Sequence, residues 1–324
     1  MEESKETLFM KENLRTTLFP IQDDWLYKHL KKQHEVFWVV EEIPISEDLP
    51  SWEKLKPEEQ YFIKHVLGFF SISDVIVNAN LESLILELSS LELKMVYQWQ
   101  CAMENVHTET YAMLLETLIK DEVEREIVKN ATLNFNAVAK KKDWCYKYIT
   151  NGTLLERIVA FVIVERMFFA GSFASIFYLK KRGLMTQGLG FSNELISRDE
   201  GYHIQTGIYV YRHMITNKLS NEKILEMVHE ALEIEKEFII ESLPVKLIGM
   251  NSESMIQYME YCADWVLLEL IDQRRYNVAN PFDWMDLLGL QSKSNFFEKR
   301  VAEYSKGLSN GQHLDKVIRF DAKY

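Results

Sequence analysis

The chain has 324 residues and a mass of 38.3 kDa, enough for two average domains or one large one. Hydrophobic residues make up 47% and charged residues 27%, a balance typical of globular proteins that leaves little room for disorder. The formal net charge of −12 repels phosphate backbones and argues against nucleic-acid binding.

The three cysteines and the N-terminus indicate the compartment. Cys101, Cys145 and Cys262 form no Cys-x-x-Cys pair, so we expect reduced thiols rather than disulfides or a thiolate zinc site. The first ten residues contain neither the basic nor the apolar region of a signal peptide. Together these features predict a soluble, cytoplasmic protein.

Proline and glycine usage predicts an all-α fold. Four of the six prolines lie in the first 57 residues, and neither glycine nor proline occurs between Gly68 and Gly152. Such a stretch favours consecutive helices, because strands and tight turns need these residues. The predicted helices cover about residues 57–87, 90–120, 122–139, 153–182, 186–216, 221–248 and 252–275, with Lys140–Lys142 and Lys180–Arg182 at helix C-termini.

The domain organisation predicted from these elements is one domain with two appendages. Residues 1–56 form an N-terminal arm with short helices, residues 57–295 form the helical domain, and residues 296–324 form a flexible C-terminal tail. The tail is expected because this segment is polar and contains a Ser-Asn-Gly turn.

The segment 158–179 is apolar and long enough to span a membrane, but Glu165 and Arg166 lie within it. It is either a membrane span with a functional acid or the central helix of a thick soluble bundle. No second span is apparent in the sequence, which favours the soluble bundle and predicts no membrane association.

A Glu-x-x-His pattern occurs three times, in Glu104–His107, Glu200–His203 and Glu226–His229. Residues three apart share a helix face, so the carboxylate and imidazole of each pair can bind one metal. About one such match is expected by chance, so one of the three is expected to be a decoy.

Helical faces distinguish the three pairs. Glu226 and His229 share their face with further glutamates and are predicted to be solvated, so this pair is the expected decoy. Glu104 and His107 align with leucines and tyrosines, and Glu200 and His203 align with Ile196, Gly207 and Val210. These two pairs are predicted to point into the core.

Two further acids, Asp74 and Glu165, lie on apolar helix faces. Four buried carboxylates would repel one another, and two divalent cations would remove that cost. One acid from each of two helices and Glu-x-x-His from each of two more is the ligand set of ferritin-like dimetal bundles. The alternative is a set of buried salt bridges, but only Arg166 and Arg198 adjoin these acids, on other helix faces. Oxygen and nitrogen ligands suit iron or manganese.

Tyr111 follows His107 by one helical turn on the same face, within about 5–6 Å at the Cβ atoms. Phe169, Phe173 and Ile196 are expected to form an apolar wall around it. A buried phenol beside an oxygen-activating metal pair can be oxidised to a radical, so we interpret Tyr111 as a candidate radical site. The alternative is an ordinary core tyrosine that is hydrogen-bonded to a neighbour.

Three long runs carry a resemblance to a known family: MENVHTETY (103–111), FFAGSFASIFYLKKRGLM (168–185) and FSNELISRDEGYH (191–203). They closely resemble the small, radical-generating subunit of class I ribonucleotide reductase, in its eukaryotic and large-DNA-virus form. The similarity extends from about residue 19 to FFEKRVAEY (296–304), nearly the whole sequence.

The resemblance implies the site residues and their roles. Two irons would be held by Asp74, Glu104, His107, Glu165, Glu200 and His203. Tyr111 would become the stable tyrosyl radical after ferrous iron reacts with oxygen. Trp38 would be a surface-proximal tryptophan linked by Asp199 to His107, and Tyr304 in the tail would pass the oxidising equivalent onward.

The resemblance also implies the partners. The fold would be an all-α ferritin-like bundle, expected as a homodimer. The large catalytic subunit, docked by the extreme C-terminus, would reduce ribonucleoside diphosphates to deoxyribonucleotides for DNA replication. The sequence leaves two alternatives open: two irons or a manganese-containing pair, and a homodimer or a heterodimer with a second small subunit.

Two departures from the family pattern stand out. Arg166 follows Glu165 where the eukaryotic form has glycine, and the tail ends VIRFDAKY where the family favours an acidic segment ending in phenylalanine. Phe320 and Asp321 preserve the aromatic-acid core of that docking segment.

The alternative functions are a catalytically silent companion subunit, another diiron oxidase or desaturase, and an iron-storage ferritin. A silent companion would lack ligands or Tyr111, and the oxidases would not combine Trp38, Asp199 and Tyr304 with a docking tail. A ferritin would be shorter and would form a shell.

Overall fold

The computed structural model describes residues 15–242 and 252–282, and over these residues every regular element is a helix. The all-α prediction is therefore confirmed for this part of the protein. The α-helices are α1 Asp24–Glu35, α2 Leu49–Trp52, α3 Pro57–Glu87, α4 Leu91–Leu118, α5 Glu122–Lys129, α6 Ala131–Asn134, α7 Asn136–Asn151, α8 Leu154–Ile163, α9 Ala170–Lys181, α10 Leu189–Tyr209, α11 Asn221–Ser242 and α12 Ser252–Ile271.

Side-chain caps explain where several of these helices begin without glycine or proline. The side chains of Ser90, Asp121 and Thr153 each accept a hydrogen bond from a backbone N–H in the first turn of α4, α5 and α8. A capping oxygen satisfies one of the four amides that a helix leaves unpaired at its N-terminus. The long stretch without glycine is therefore divided by polar caps.

Four helical segments form the centre of the bundle: α3, α4, α10 and the segment that runs from α8 into α9. α3 packs along α4, and α10 contacts α4, α8 and α9. Between α8 and α9 the backbone makes a π-helical turn, Val164–Phe168, and a second π-helical turn, Val210–Met214, follows α10. A π-helical turn contains one extra residue, is rare, and frequently occurs at functional sites. The sequence pattern predicted helices through both places, which the structure confirms, but it did not predict the π-helical turns within them.

The prediction of one helix over residues 122–139 was wrong. The structure has α5, α6 and α7 there, and the run Lys140–Lys142 lies inside α7 rather than at a helix end. The amide groups of Asn130 and Asn134 donate to backbone carbonyls of the preceding turn, which competes with helix continuation. The carboxylate of Glu241 on α11 then accepts the first two amides of α7, a long-range cap that local sequence does not reveal.

The segment preceding α3 packs on the bundle through buried side chains of α1 and the following turns, among them Leu26, Leu30 and Trp38. The carboxylate of Asp48 accepts the backbone amides of Gln187 and Leu189, so it caps the N-terminus of α10. The arm boundary at residue 56 stays a prediction, and the predicted tail, 296–324, lies outside the described residues.

Two helical segments are long and apolar enough to cross a membrane by length and composition: Pro57–Glu87 and Leu154–Lys181. Only the second was apparent from the sequence pattern. In the apolar 18-residue window of Leu154–Lys181, 94% of the residues are buried inside the protein, against 50% in the corresponding window of Pro57–Glu87. This burial is typical of core helices and is consistent with a soluble protein.

Candidate metal centre

Four carboxylates and two imidazoles meet in the middle of the bundle, and all six residues are buried. Their ligand atoms form two groups within which every atom lies less than 4.8 Å from the others. One group is Asp74, Glu104 and His107, and the other is Glu104, Glu165, Glu200 and His203. The structure therefore brings together the six residues that the sequence pattern singled out.

Each helix of the central four delivers its part of the cluster. Asp74 comes from α3, and each of α4 and α10 presents a Glu-x-x-His pair on its buried face. Glu165 comes from the π-helical turn between α8 and α9. The extra residue of that turn changes the direction in which the following side chains project.

Two glutamates reach both imidazoles. Glu104 Oε2 lies 3.3 Å from His107 Nδ1, and its Oε1 lies 3.0 Å from His203 Nδ1. Glu200 Oε1 lies 3.2 Å from His107 Nδ1, and its Oε2 lies 3.0 Å from His203 Nδ1. Both Nδ1 atoms thus face a space shared by two carboxylates, and the two ligand groups would suit two cations.

The electrostatics of the cluster favour the binding of positive charge. Burial, together with the neighbouring carboxylate of Glu104, raises the pKa of Asp74 well above its usual range. Burial and the charge of Glu200 likewise raise the pKa of Glu165. The two imidazoles overcome the effect of burial at Glu200 and hold its pKa low. Among the described residues Asp74 Oδ2 has no hydrogen-bond partner, as expected for an atom prepared to bind a cation.

A hydrogen-bonded path runs from the cluster to Trp38. Asp199 Oδ2 accepts a hydrogen bond from Trp38 Nε1 at 2.7 Å and lies 3.2 Å from His107 Nε2. Arg198 donates to the other oxygen of Asp199 at 2.8 and 3.0 Å. Burial would raise the pKa of Asp199, but Arg198 and His107 hold it below its usual value, so the carboxylate stays ionised between the two rings.

Tyr111 lies in an aromatic environment one turn beyond His107 and is 3% exposed. The ring of Phe70 stacks on it at a centroid distance of 4.6 Å. Phe169 and Phe173 pack against Phe70, at 5.8 and 5.3 Å. The predicted wall did not include Phe70, although its position four residues before Asp74 on the same face of α3 was a usable signal.

Gln100 is a second site residue that sequence reasoning missed. Its buried amide Nε2 donates to Glu165 Oε1 at 2.7 Å and to Glu104 Oε1 at 3.1 Å. It therefore links Glu165, which belongs to one ligand group, to Glu104, which belongs to both. Its spacing, one turn before Glu104 on α4, would have identified it.

The remaining predictions have different outcomes. Glu226 and His229 are exposed on α11, so the expected decoy is solvated. Cys101, Cys145 and Cys262 are free thiols, as predicted. Tyr304 and the proposed docking segment lie outside the described residues.

Comparison with known proteins shows similarity to small chains of ribonucleotide reductase over nearly the whole sequence. Residues 15–281 match the family model for the small chain of ribonucleotide reductase. Subunit M2 of the ribonucleoside-diphosphate reductase of Danio rerio is 49% identical over 99% of this protein and 83% of its own length. The small chain of ribonucleoside-diphosphate reductase from Trypanosoma brucei brucei is 45% identical over 99% of this protein and 96% of its own length.

A solved structure shows the same architecture. The ribonucleotide reductase Rnr4 homodimer of Saccharomyces cerevisiae is similar with a TM-score of 0.80 and 31% identity, covering 93% of each chain. The bundle is therefore ferritin-like. Because a family model spans most of the sequence and relatives near half identity span almost all of it, the protein belongs to the ribonucleotide reductase small chains, the radical-supplying subunits of ribonucleoside-diphosphate reductase.

Proposed function

We propose that the buried cluster holds two iron ions and that this centre oxidises Tyr111 to a radical, which the protein then delivers to the large subunit. The proposal rests on one observation: six buried residues that can bind metal meet close to the buried phenol of Tyr111. A bound iron pair supplies the one-electron oxidation when it reacts with O2. A manganese-containing pair is also compatible with these oxygen and nitrogen ligands.

The side chains of the cluster have separate tasks in this proposal. Glu104 would contribute to both metal positions, because it belongs to both ligand groups, and Glu200 would reach both imidazoles. Asp74 would belong to the metal position that contains His107, and Glu165 to the one that contains His203. Gln100 fixes the orientation of Glu165 through a hydrogen bond. Hydrogen bonding to ligating carboxylates and imidazoles is a common way to set the geometry and affinity of a metal site.

Tyr111 is arranged to lose a proton and an electron without contact with water. Burial, followed by the charge of Asp74, raises its pKa, so the phenol keeps its proton until oxidation occurs. Among the carboxylates of the cluster, Asp74 is the one whose charge acts most strongly on the phenol. Phe70 covers the ring and protects the radical from solvent.

Delivery of the radical follows the path from His107 through Asp199 to Trp38. The support for this step is the pair of contacts to a single oxygen of Asp199. Coupled transfer of an electron and a proton needs such continuous hydrogen bonding. Tyr304 in the tail is the next relay in the proposal, and the large subunit is the acceptor.

The assembly that we propose is a cytoplasmic homodimer docked to the large subunit by the C-terminal segment. The large subunit would hold the ribonucleoside diphosphate and reduce it to the deoxyribonucleotide. The homodimer of the related yeast protein supports self-association.

Deletion of residues 318–324 tests the docking role. We expect the truncated protein to form the radical normally and to lose association with the large subunit in a pull-down, together with turnover of a ribonucleoside diphosphate. The variant Tyr304→Phe is the matched control, because it should associate normally and still lose turnover. Retained association of the truncated protein would contradict docking by the tail.

A further inference from the structure

Two basic side chains connect the π-helical turn Val164–Phe168 to neighbouring helices. Such a turn interrupts the regular α-helical hydrogen bonds and is marginal by itself. It persists when neighbouring groups stabilise it in one geometry. Two such groups are Arg166, which belongs to the turn, and Lys141, which reaches it from α7.

Arg166 joins the turn to α12. Its guanidinium carbon lies 4.9 Å from the centroid of the Trp265 ring, and the guanidinium donates a hydrogen bond to the hydroxyl oxygen of the buried Tyr258. Planar stacking and directed hydrogen bonds are the contacts that arginine makes better than lysine. Arg166 is next to Glu165 in the sequence, but its described contacts are with α12.

Lys141 joins the end of the turn to α11. Its Nζ donates to the carbonyl of Phe168 at 3.1 Å and forms an ion pair with Glu235 at 2.6 Å. The same ammonium lies 3.8 Å from the centroids of Phe69 and Phe238. Lys141 and Glu235 are 1% and 0% exposed. A buried ion pair is costly to form, so its placement on a carbonyl of the turn favours a specific structural role.

We infer that Arg166 is a positioning residue for Glu165, because by fixing the π-helical turn to α12 it sets where the Glu165 carboxylate lies. The metal-binding part of this inference rests on the proposed function. Glu165 belongs to only one of the two ligand groups. Loss of the Arg166 contacts should therefore weaken one metal position and spare the one formed by Asp74, Glu104 and His107.

The test compares Arg166→Met with Arg166→Lys and with the control Lys236→Met. Methionine keeps much of the bulk and removes the charge and hydrogen bonds. Lysine retains a cation over Trp265. Lys236 links α11 to α12 through its ion pair with Glu260 and also pairs with Glu233 on its own helix, but it has no described contact with the π-helical turn.

The first readout needs no metal. In the metal-free protein we expect amide hydrogen exchange of residues 164–168 to accelerate in Arg166→Met, less in Arg166→Lys, and not in Lys236→Met. Trp265→Leu is the second variant, for use if Arg166→Met folds poorly. It removes the same stack from α12 and should accelerate the same amides. Unchanged exchange at residues 164–168 in both variants would overturn the inference.

The second readout is stepwise binding of Mn²⁺, followed by electron paramagnetic resonance of the bound ion. We expect Arg166→Met to weaken one of the two binding steps by about 10–100-fold, the range typical of residues that orient metal ligands. Faster exchange with both binding steps unchanged, or both weakened equally, would refute the positioning role. A wild-type protein that binds no Mn²⁺, Fe²⁺ or other divalent ion would instead refute the proposed metal centre, and with it this consequence.

Discussion

The two halves of the cluster use the same ligand pattern in different surroundings. In the half formed by α3 and α4, the outer nitrogen of His107 lies 3.2 Å from Asp199, which is hydrogen-bonded to Trp38. In the other half, His203 Nε2 has no hydrogen-bond partner among the described residues. Within the described residues, hydrogen bonds connect the first half to an oxidisable ring and none connects His203 Nε2 to one, so an identical motif does not imply an identical role.

The backbones of the two halves differ as well. Asp74 and the Glu104–His107 pair lie on uninterrupted helices, where helical spacing alone puts them on one face. Glu165 lies in a π-helical turn that depends on Gln100, Arg166 and Lys141. We conclude that local sequence determines the first half, whereas in the second half the position of Glu165 depends on tertiary contacts.

The largest expected effect comes from Glu104→Ala, which removes a carboxylate that belongs to both ligand groups. We expect binding of Fe²⁺ to weaken at both positions by more than the roughly 10–100-fold seen for outer-sphere residues. Asp74→Ala should affect mainly one position. An anaerobic Fe²⁺ titration of each variant measures this difference, and equal losses in the two variants would contradict the assignment of Glu104 as shared.

Trp38→Phe should separate radical formation from radical delivery. The variant removes the indole N–H that donates to Asp199 and leaves the contact between Asp199 and His107 in place. We expect normal metal content and a normal Tyr111 radical, with loss of turnover when the large subunit is added. Trp52→Phe is the control, because Trp52 is also buried but lies in α2. Full turnover in Trp38→Phe would exclude this tryptophan from the path.

Gln100→Leu probes the half that depends on tertiary contacts. The change removes the hydrogen bonds to Glu165 and Glu104 while keeping the side-chain volume close to that of glutamine. We expect about tenfold weaker metal binding at the position that contains Glu165, as is typical when a hydrogen bond to a ligand is lost. Calorimetric titration with Mn²⁺ resolves the two steps, and unchanged affinity at both would show that Gln100 does not orient the ligand.

The smallest expected effect is on pH dependence. Burial and neighbouring carboxylates raise the pKa of Asp74 and of Glu165 in the metal-free protein. A carboxyl group with a raised pKa keeps its proton at a pH where an ordinary one is ionised, and it must release that proton to bind metal. Metal affinity should therefore increase as the pH rises through these values and decrease on acidification.

Calorimetry in two buffers with different ionisation enthalpies measures the protons released when metal binds. Release should be smaller in Asp74→Asn, because asparagine carries no titratable proton. Affinity that does not change with pH, with no proton release, would contradict the raised pKa values.

Sequence spacing predicted the elements of the site that follow helical periodicity. The pairs on α4 and α10, the buried face of Asp74 and the solvated decoy on α11 all derive from positions three, four or seven apart. Gln100 and Phe70 obey the same rule and were within reach of the same reasoning.

Other parts of the site could not be predicted from local pattern. The hydrogen bond between Trp38 and Asp199 joins residues 161 positions apart, so these two residues were identified only through resemblance to a family. The π-helical turn at Glu165 has helical composition throughout, and the contacts that hold it come from α7 and α12. The start of α7 depends in the same way on Glu241 of α11.

The central claim is that the cluster exists to oxidise Tyr111. Its most direct test is electron paramagnetic resonance of the metal-free protein after loading with Fe²⁺ and admission of oxygen, for the wild type and for Tyr111→Phe. We predict a tyrosyl doublet in the wild type and none in the variant, with equal iron content in both proteins. Iron uptake without a doublet in the wild type, or an unchanged doublet in Tyr111→Phe, would contradict the account.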